Sequence, residues 1–94
     1  MDHLMSNIPE KPTKAFRVTL VLNAPERRLD NVLLNALRQQ TLHLELRNLS
    51  RGSLKELFKK KKIRIKGQIA VPSSALATGT TYVDVLGFED KDPA

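Results

Sequence analysis

Apolar and polar residues alternate over residues 16–22, with Phe16, Val18, Leu20 and Leu22 on one side and Arg17, Thr19 and Val21 on the other. That is the period of a strand with one buried face. Asn23-Ala24-Pro25 breaks the alternation, and the period then changes. Leu29, Val32, Leu33, Ala36 and Leu37 recur at helical spacing, which predicts a helix over about residues 26–39 with Pro25 near its first turn, where the missing N–H is no loss. Arg27, Arg28 and Arg38 lie off the apolar face and read as solvated charges on an amphipathic helix.

Over residues 41–46 (TLHLEL), Leu42, Leu44 and Leu46 alternate with His43 and Glu45. The pattern predicts an extended connector that packs its leucines inward and leaves His43 a partly exposed loop histidine. The second helix has two candidate starts. Ser53 with Glu56 fits a capping box, whereas Ser50 as N-cap sets Leu49 at N′ against Leu54 at N4 as a hydrophobic staple. Ser50 is preferred because it gives the longer helix, with Leu54, Leu57 and Phe58 facing inward.

Beyond that helix, Ile63 and Ile65 alternate with Arg64 and Lys66, Gly67-Gln68 offers a tight turn, and residues 69–71 form a return strand ended by Pro72. Leu76 anchors the next connector, Gly79 supplies another turn, and residues 81–86, with Val83 and Val85, make a last strand. The fold class is therefore α+β: two packed helices against a small, twisted, mostly antiparallel sheet, with an extra N-terminal strand. Residues 15–88 form the domain, between flexible tails at 1–14 and 89–94. His3, in the first tail, has no partners that would make it a metal ligand.

Charge sharpens this picture in one place. Residues 47–66 carry nine Lys or Arg against one acid, Glu56, a local net charge of +8 in a chain whose total is +6. Everything else sums to −2, so the positive potential belongs to one stretch, the footprint of a polyanion. Within it, Arg51, Lys55, Lys59 and Lys62 are spaced as a ridge beside the apolar face, with Lys60 and Lys61 between and Arg64 and Lys66 continuing along the strand. Like charges one turn apart repel by a few tenths of a kcal/mol per pair. A chain that keeps several of them has a use for the field.

Composition excludes several classes. There is no Cys, hence no disulfide framework, thiolate metal site or thiol nucleophile, in keeping with a reducing cytoplasm. No apolar run approaches the roughly 20 residues that span a bilayer. Neither a glycine-rich phosphate loop nor a paired-histidine motif occurs, so the chain does not read as an enzyme and implies no cofactor or metal. Only three Phe and one Tyr are present, too few for a base-stacking platform, which leaves phosphates and shape as the means of recognition.

The order of these features resembles the S-four RNA-binding domain, the alpha-L motif named for a small-subunit ribosomal protein. The resemblance runs over about residues 28–85 and is densest at 49–73. It rests on Arg28-Leu29-Asp30 opening the first helix, Ser50-Arg51 opening the second, the Leu57-Phe58 end followed by basic residues, then strand, Gly67 turn, strand, Pro72-Ser73 and the Gly79 turn. Lys66 stands where the family usually has Asn before the hairpin glycine, and Thr80 where it usually has Asp. The resemblance implies a stand-alone, monomeric, cytoplasmic module, similar to the ribosome-associated small heat-shock protein of that family. It would bind structured RNA, rRNA or tRNA, through Ser50, Arg51, Lys55, Lys60, Lys61, Lys62 and Arg64. A different reading of the same charge is an electrostatic adaptor for an acidic protein, DNA or an anionic membrane surface. Membrane binding would need exposed bulky residues beside the lysines, and Leu57 and Phe58 are needed in the core.

Overall fold

The computed structural model describes residues 14–88. The alternating N-terminal segment becomes β1 (Ala15–Leu22), which turns Phe16, Val18 and Leu20 inward and leaves Val21 exposed. Its partner is β4 (Gly79–Leu86), antiparallel over the full length from Ala15 opposite Leu86 to Leu22 opposite Gly79. β2 (Ile63–Ile65) lies on the other side of β4, and β3 (Gln68–Ile69) closes the order β1-β4-β2-β3, every neighbour antiparallel. The N-terminal strand is thus no appendage. It makes the longest ladder in a four-stranded sheet.

Among the described residues three helices, α1 (Leu29–Gln39), α2 (Leu44–Arg47) and α3 (Arg51–Lys59), complete the α+β fold. Leu29, Leu33, Leu34 and Leu37 of α1 are buried with Leu54 and Phe58 of α3, Ile63 of β2 and Val83 and Val85 of β4 in one cluster. Leu34 lies beside Leu33 and broadens the apolar stripe that the spacing predicted. Among the described residues no helix is long and apolar enough to cross a membrane. The expected tails, residues 1–14 and 89–94, lie outside the described residues apart from Lys14.

Four local expectations are corrected. The first helix starts at Leu29, so Pro25 is not in its first turn. Arg28 occupies the N-cap without a side-chain cap, since a guanidinium has no acceptor. The connector after β3 does the capping instead: the N–H groups of Leu29 and Asp30 donate to the carbonyls of Ser74 and Pro72, each at 3.1 Å. Glu26 and Leu76 exchange backbone hydrogen bonds at 3.0 and 2.7 Å just before them, a pairing that draws residues 23–28 away from helix.

Residues 41–46 are not an extended connector. Gln40 folds its amide against the chain, accepting from the His43 N–H at 2.8 Å and donating to the carbonyls of Leu37 and His43, and His43 then caps α2, its Nδ1 accepting from the Leu46 N–H at 3.3 Å. Only Leu46 is buried, while Leu42 and Leu44 point outward. His43 is 2% exposed, its ring edge-on to Phe16 and Phe88, each centroid 5.5 Å away. It is a core residue.

α3 begins as expected, with Ser50 Oγ accepting from the Ser53 N–H at 3.0 Å and Leu49 packed on the core beside Leu54. Leu57 is only half-buried, because α1 meets the Leu54–Phe58 side of the helix. The remaining correction is the hairpin. Lys66 (φ 53°) and Gly67 (φ 77°) both have left-handed backbones, a two-residue primed turn that matches strand twist. The return strand is therefore Gln68–Ile69, and Val71 lies beyond it, exposed.

Candidate nucleic-acid interface

The nine cations of residues 47–66 occupy distinct settings. Arg51, Lys55 and Lys59 follow one another along α3, one turn apart and exposed, within an arc of about 80°. Lys62 does not extend that ridge, because the helix closes first. The N–H groups of Lys61 and Lys62 turn back to the carbonyls of Phe58 and Leu57, both at 3.0 Å, and Lys61 takes the left-handed conformation (φ 62°). This is a Schellman cap, with lysine at the position that usually holds glycine. Lys60, Lys61 and Lys62 thus form a turn at the C-terminal end of α3, where the helix dipole favours cations.

Lys62 is half-buried, with its Nζ 3.2 Å from where a Cβ on Gly87 would stand, so the glycine makes room for the ammonium. Arg64 doubles back, its Nε donating to the Lys61 carbonyl at 3.0 Å, which ties the middle of β2 to the cap. Lys66 is at the opposite end of β2, in the hairpin turn, and lines a different surface together with Gln68 and Thr80. Ser50 spends its hydroxyl on the cap and on Ser53 Oγ, 3.0 Å away. Its role is to fix where α3 starts.

At that start the chain builds a cleft of about 300 Å³, lined by Arg28, Asp30, Arg51, Leu54, Lys55, Phe58 and Pro72. Arg28 holds Asp30 in a bidentate pair, Nε to Oδ1 at 3.2 Å and Nη2 to Oδ2 at 2.9 Å. That hydrogen bonding holds the Asp30 carboxyl below the usual carboxylate range, helped by the Asn31 N–H and by the charges of Arg28 and Arg51. Arg51 donates from Nη1 to Asn31 Oδ1 at 2.9 Å, an anchor that aims the guanidinium without cancelling its charge. Pro72 reaches the cleft because its carbonyl caps α1.

Arg28, Asp30, Asn31 and Pro72 were not singled out as site residues by composition or periodicity. The Arg-Leu-Asp opening of the first helix was the available signal for two of them. Lys14 is a further cation at a constrained position, with no local sequence signal: its φ is 57°, and its carbonyl accepts from the Gly87 N–H at 2.8 Å. Among the described residues no group of three or more His, Cys, Asp or Glu could hold a metal ion. No protein-family model, curated protein or solved structure matches this chain at a significant level.

Proposed function

We propose that this domain is a non-catalytic RNA-binding module of the alpha-L type. It holds structured RNA of the rRNA or tRNA class against α3 and the turn that follows, in a ribosome-associated role in the cytoplasm. The observation that carries the reading is the unbalanced charge. Among the described residues, Lys59 alone of the nine cations at positions 47–66 meets a carboxylate, Glu56, at 3.8 Å. Exposed pairs of that kind contribute under about 1 kcal/mol, so even Lys59 is available to a stronger anion.

Backbone conformation supports the same conclusion. Among the described residues, the three non-glycine residues with positive φ are all lysines: Lys14, Lys61 and Lys66. The left-handed conformation costs a side-chain-bearing residue about 1–2 kcal/mol, which glycine would avoid and asparagine lessen. Keeping lysine at Lys61 and Lys66 gives up stability for charge, the trade expected where phosphates are bound. Phosphates supply affinity by counterion release, and A-form geometry supplies preference.

The test is fluorescence anisotropy with an RNA hairpin and an unstructured strand of equal length, repeated over a range of salt. The hairpin should bind more tightly. Lys55→Gln and Lys59→Gln should each reduce the slope of log affinity against log salt by about one unit. Equal competition by the unstructured strand would overturn shape recognition, and an unchanged slope would overturn the α3 site.

A further inference from the structure

The cleft at the start of α3 differs from the rest of the basic surface in two respects. It is concave and partly apolar, with Pro72 and the edges of Leu54 and Phe58 at its floor. It also contains an acceptor, Asp30, among the cations Arg28, Arg51 and Lys55. A bare phosphate has no use for an apolar floor and is repelled by a carboxylate. A ligand that suits all of these groups carries an anion, a flat apolar body and a hydrogen-bond donor together.

We infer that the cleft receives a single unpaired ribonucleotide, turned out from an otherwise structured RNA. Its phosphate sits on Arg51 and Lys55, its base lies over Pro72 and Phe58, and its ribose 2′-hydroxyl donates to Asp30. The parts are prepared for this. Arg51 is anchored on the neutral Asn31 side chain, so its orientation is set while its charge remains. Lys55 makes no ion pair among the described residues. On Asp30, Oδ1 is taken by the Arg28 Nε and the Asn31 N–H, whereas among the described residues Oδ2 accepts only from Arg28. An ionised carboxylate oxygen accepts two bonds, leaving Oδ2 one lone pair for a hydroxyl.

A volume of about 300 Å³ is at the small end of ligand pockets and admits one nucleotide rather than a stacked run. The 2′-hydroxyl contact gives the site a means of telling RNA from DNA that phosphate contacts lack. This inference rests on the RNA-binding reading and narrows it to RNAs with a bulged or looped-out nucleotide.

The full chain is titrated at about 150 mM salt with three hairpins of equal length: fully paired, with a one-nucleotide bulge, and with that nucleotide 2′-deoxy. The bulged hairpin should bind about tenfold more tightly than the paired one, within the range for one base laid on a side-chain platform. The 2′-deoxy bulge should lose about fivefold, the size of one hydrogen bond. With 2-aminopurine at the bulge, emission should change on binding. Lys55→Gln should shrink the bulge advantage, while Lys66→Gln, on the far end of β2, should weaken all hairpins alike. Equal binding of paired and bulged hairpins would overturn the nucleotide cleft and leave RNA binding standing. Equal binding of bulged and 2′-deoxy bulged hairpins would overturn the Asp30 contact, and no binding by any hairpin would overturn both readings.

Discussion

Two groups of charges in this domain are treated in opposite ways. On the sheet, Arg17 of β1 and Asp84 of β4 face each other in register and join through two hydrogen bonds, Nε to Oδ1 at 2.8 Å and Nη2 to Oδ2 at 2.9 Å, with Asp84 1% exposed. Tyr82 adds its ring 5.4 Å from the Arg17 guanidinium carbon. Along α3 and the turn after it, cations follow one another, all but Lys62 exposed, and among the described residues one carboxylate, Glu56, meets them. The first arrangement joins two strands. The second gives the fold little beyond the Arg51–Asn31 and Arg64–Lys61 hydrogen bonds, and in the function proposed above its charge serves an RNA.

Asp84→Ala is the severest way to probe that contrast. It removes the carboxylate from a buried pair and should cost about 3–5 kcal/mol in urea unfolding, with Asp84→Leu combined with Arg17→Met recovering most of the loss. A cost below 1 kcal/mol would mean that the sheet pair is no more structural than the surface lysines.

Adjacent positions in α3 sharpen the comparison. Leu54→Ala should lower stability by about 2–5 kcal/mol and Leu57→Ala by less, about 1 kcal/mol, because only Leu54 is fully buried. Lys55→Gln should leave the urea midpoint unchanged while reducing RNA affinity. If Lys55→Gln shifts the midpoint as Leu57→Ala does, the division between folding and binding residues along this helix is wrong.

Lys61→Gly inverts the usual sign. Relief of the left-handed backbone should raise stability by about 0.5–1 kcal/mol, after allowing for glycine's freedom in the unfolded chain, and RNA affinity should fall several-fold. Lost stability would show that the Lys61 side chain supports the fold.

The smallest effect is at acid pH. Arg28 lowers the folded-state pKa of Asp30 below its unfolded value. The unfolded chain therefore takes up this proton first, so the stability Asp30 contributes is present above about pH 4 and lost as pH falls through the lower, folded value. Asp30→Asn should lower stability slightly near neutrality and flatten the stability curve below about pH 4, where the two proteins converge.

What was legible in the sequence was whatever a short window contains. The alternation of β1, the apolar face of α1 and the choice of Ser50 over Ser53 as cap each depend on residues within a turn or two of one another. The misread pieces depend on partners far along the chain. Nothing near Arg28 indicates that carbonyls at positions 72 and 74 will cap its helix, so the local pattern alone sets the start too early. His43 looked polar because its neighbours alternate, yet Phe16 and Phe88 enclose it from both ends of the domain. The basic stretch was visible as charge, but its division into a helix face, a cap and a hairpin depends on Lys61 and Lys66 adopting backbones that lysine seldom takes. The cleft needed three separate segments and had no local pattern of its own.

The pairing of β1 with β4 has a further consequence. The Gly87 N–H donates to the Lys14 carbonyl at 2.8 Å, so the first and last described turns of the domain are within a hydrogen bond of each other. A domain entered and left at one point can be spliced into a surface loop of a host protein without spreading the loop's ends. For the same reason it can be rewired, with 14 and 88 joined by a short linker that keeps Phe88 on His43 and new ends opened in the solvent-facing turn at 66–67. Such a circular permutant would retain the sheet order and keep the α3 surface intact, and would carry its ends at the tips of β2 and β3.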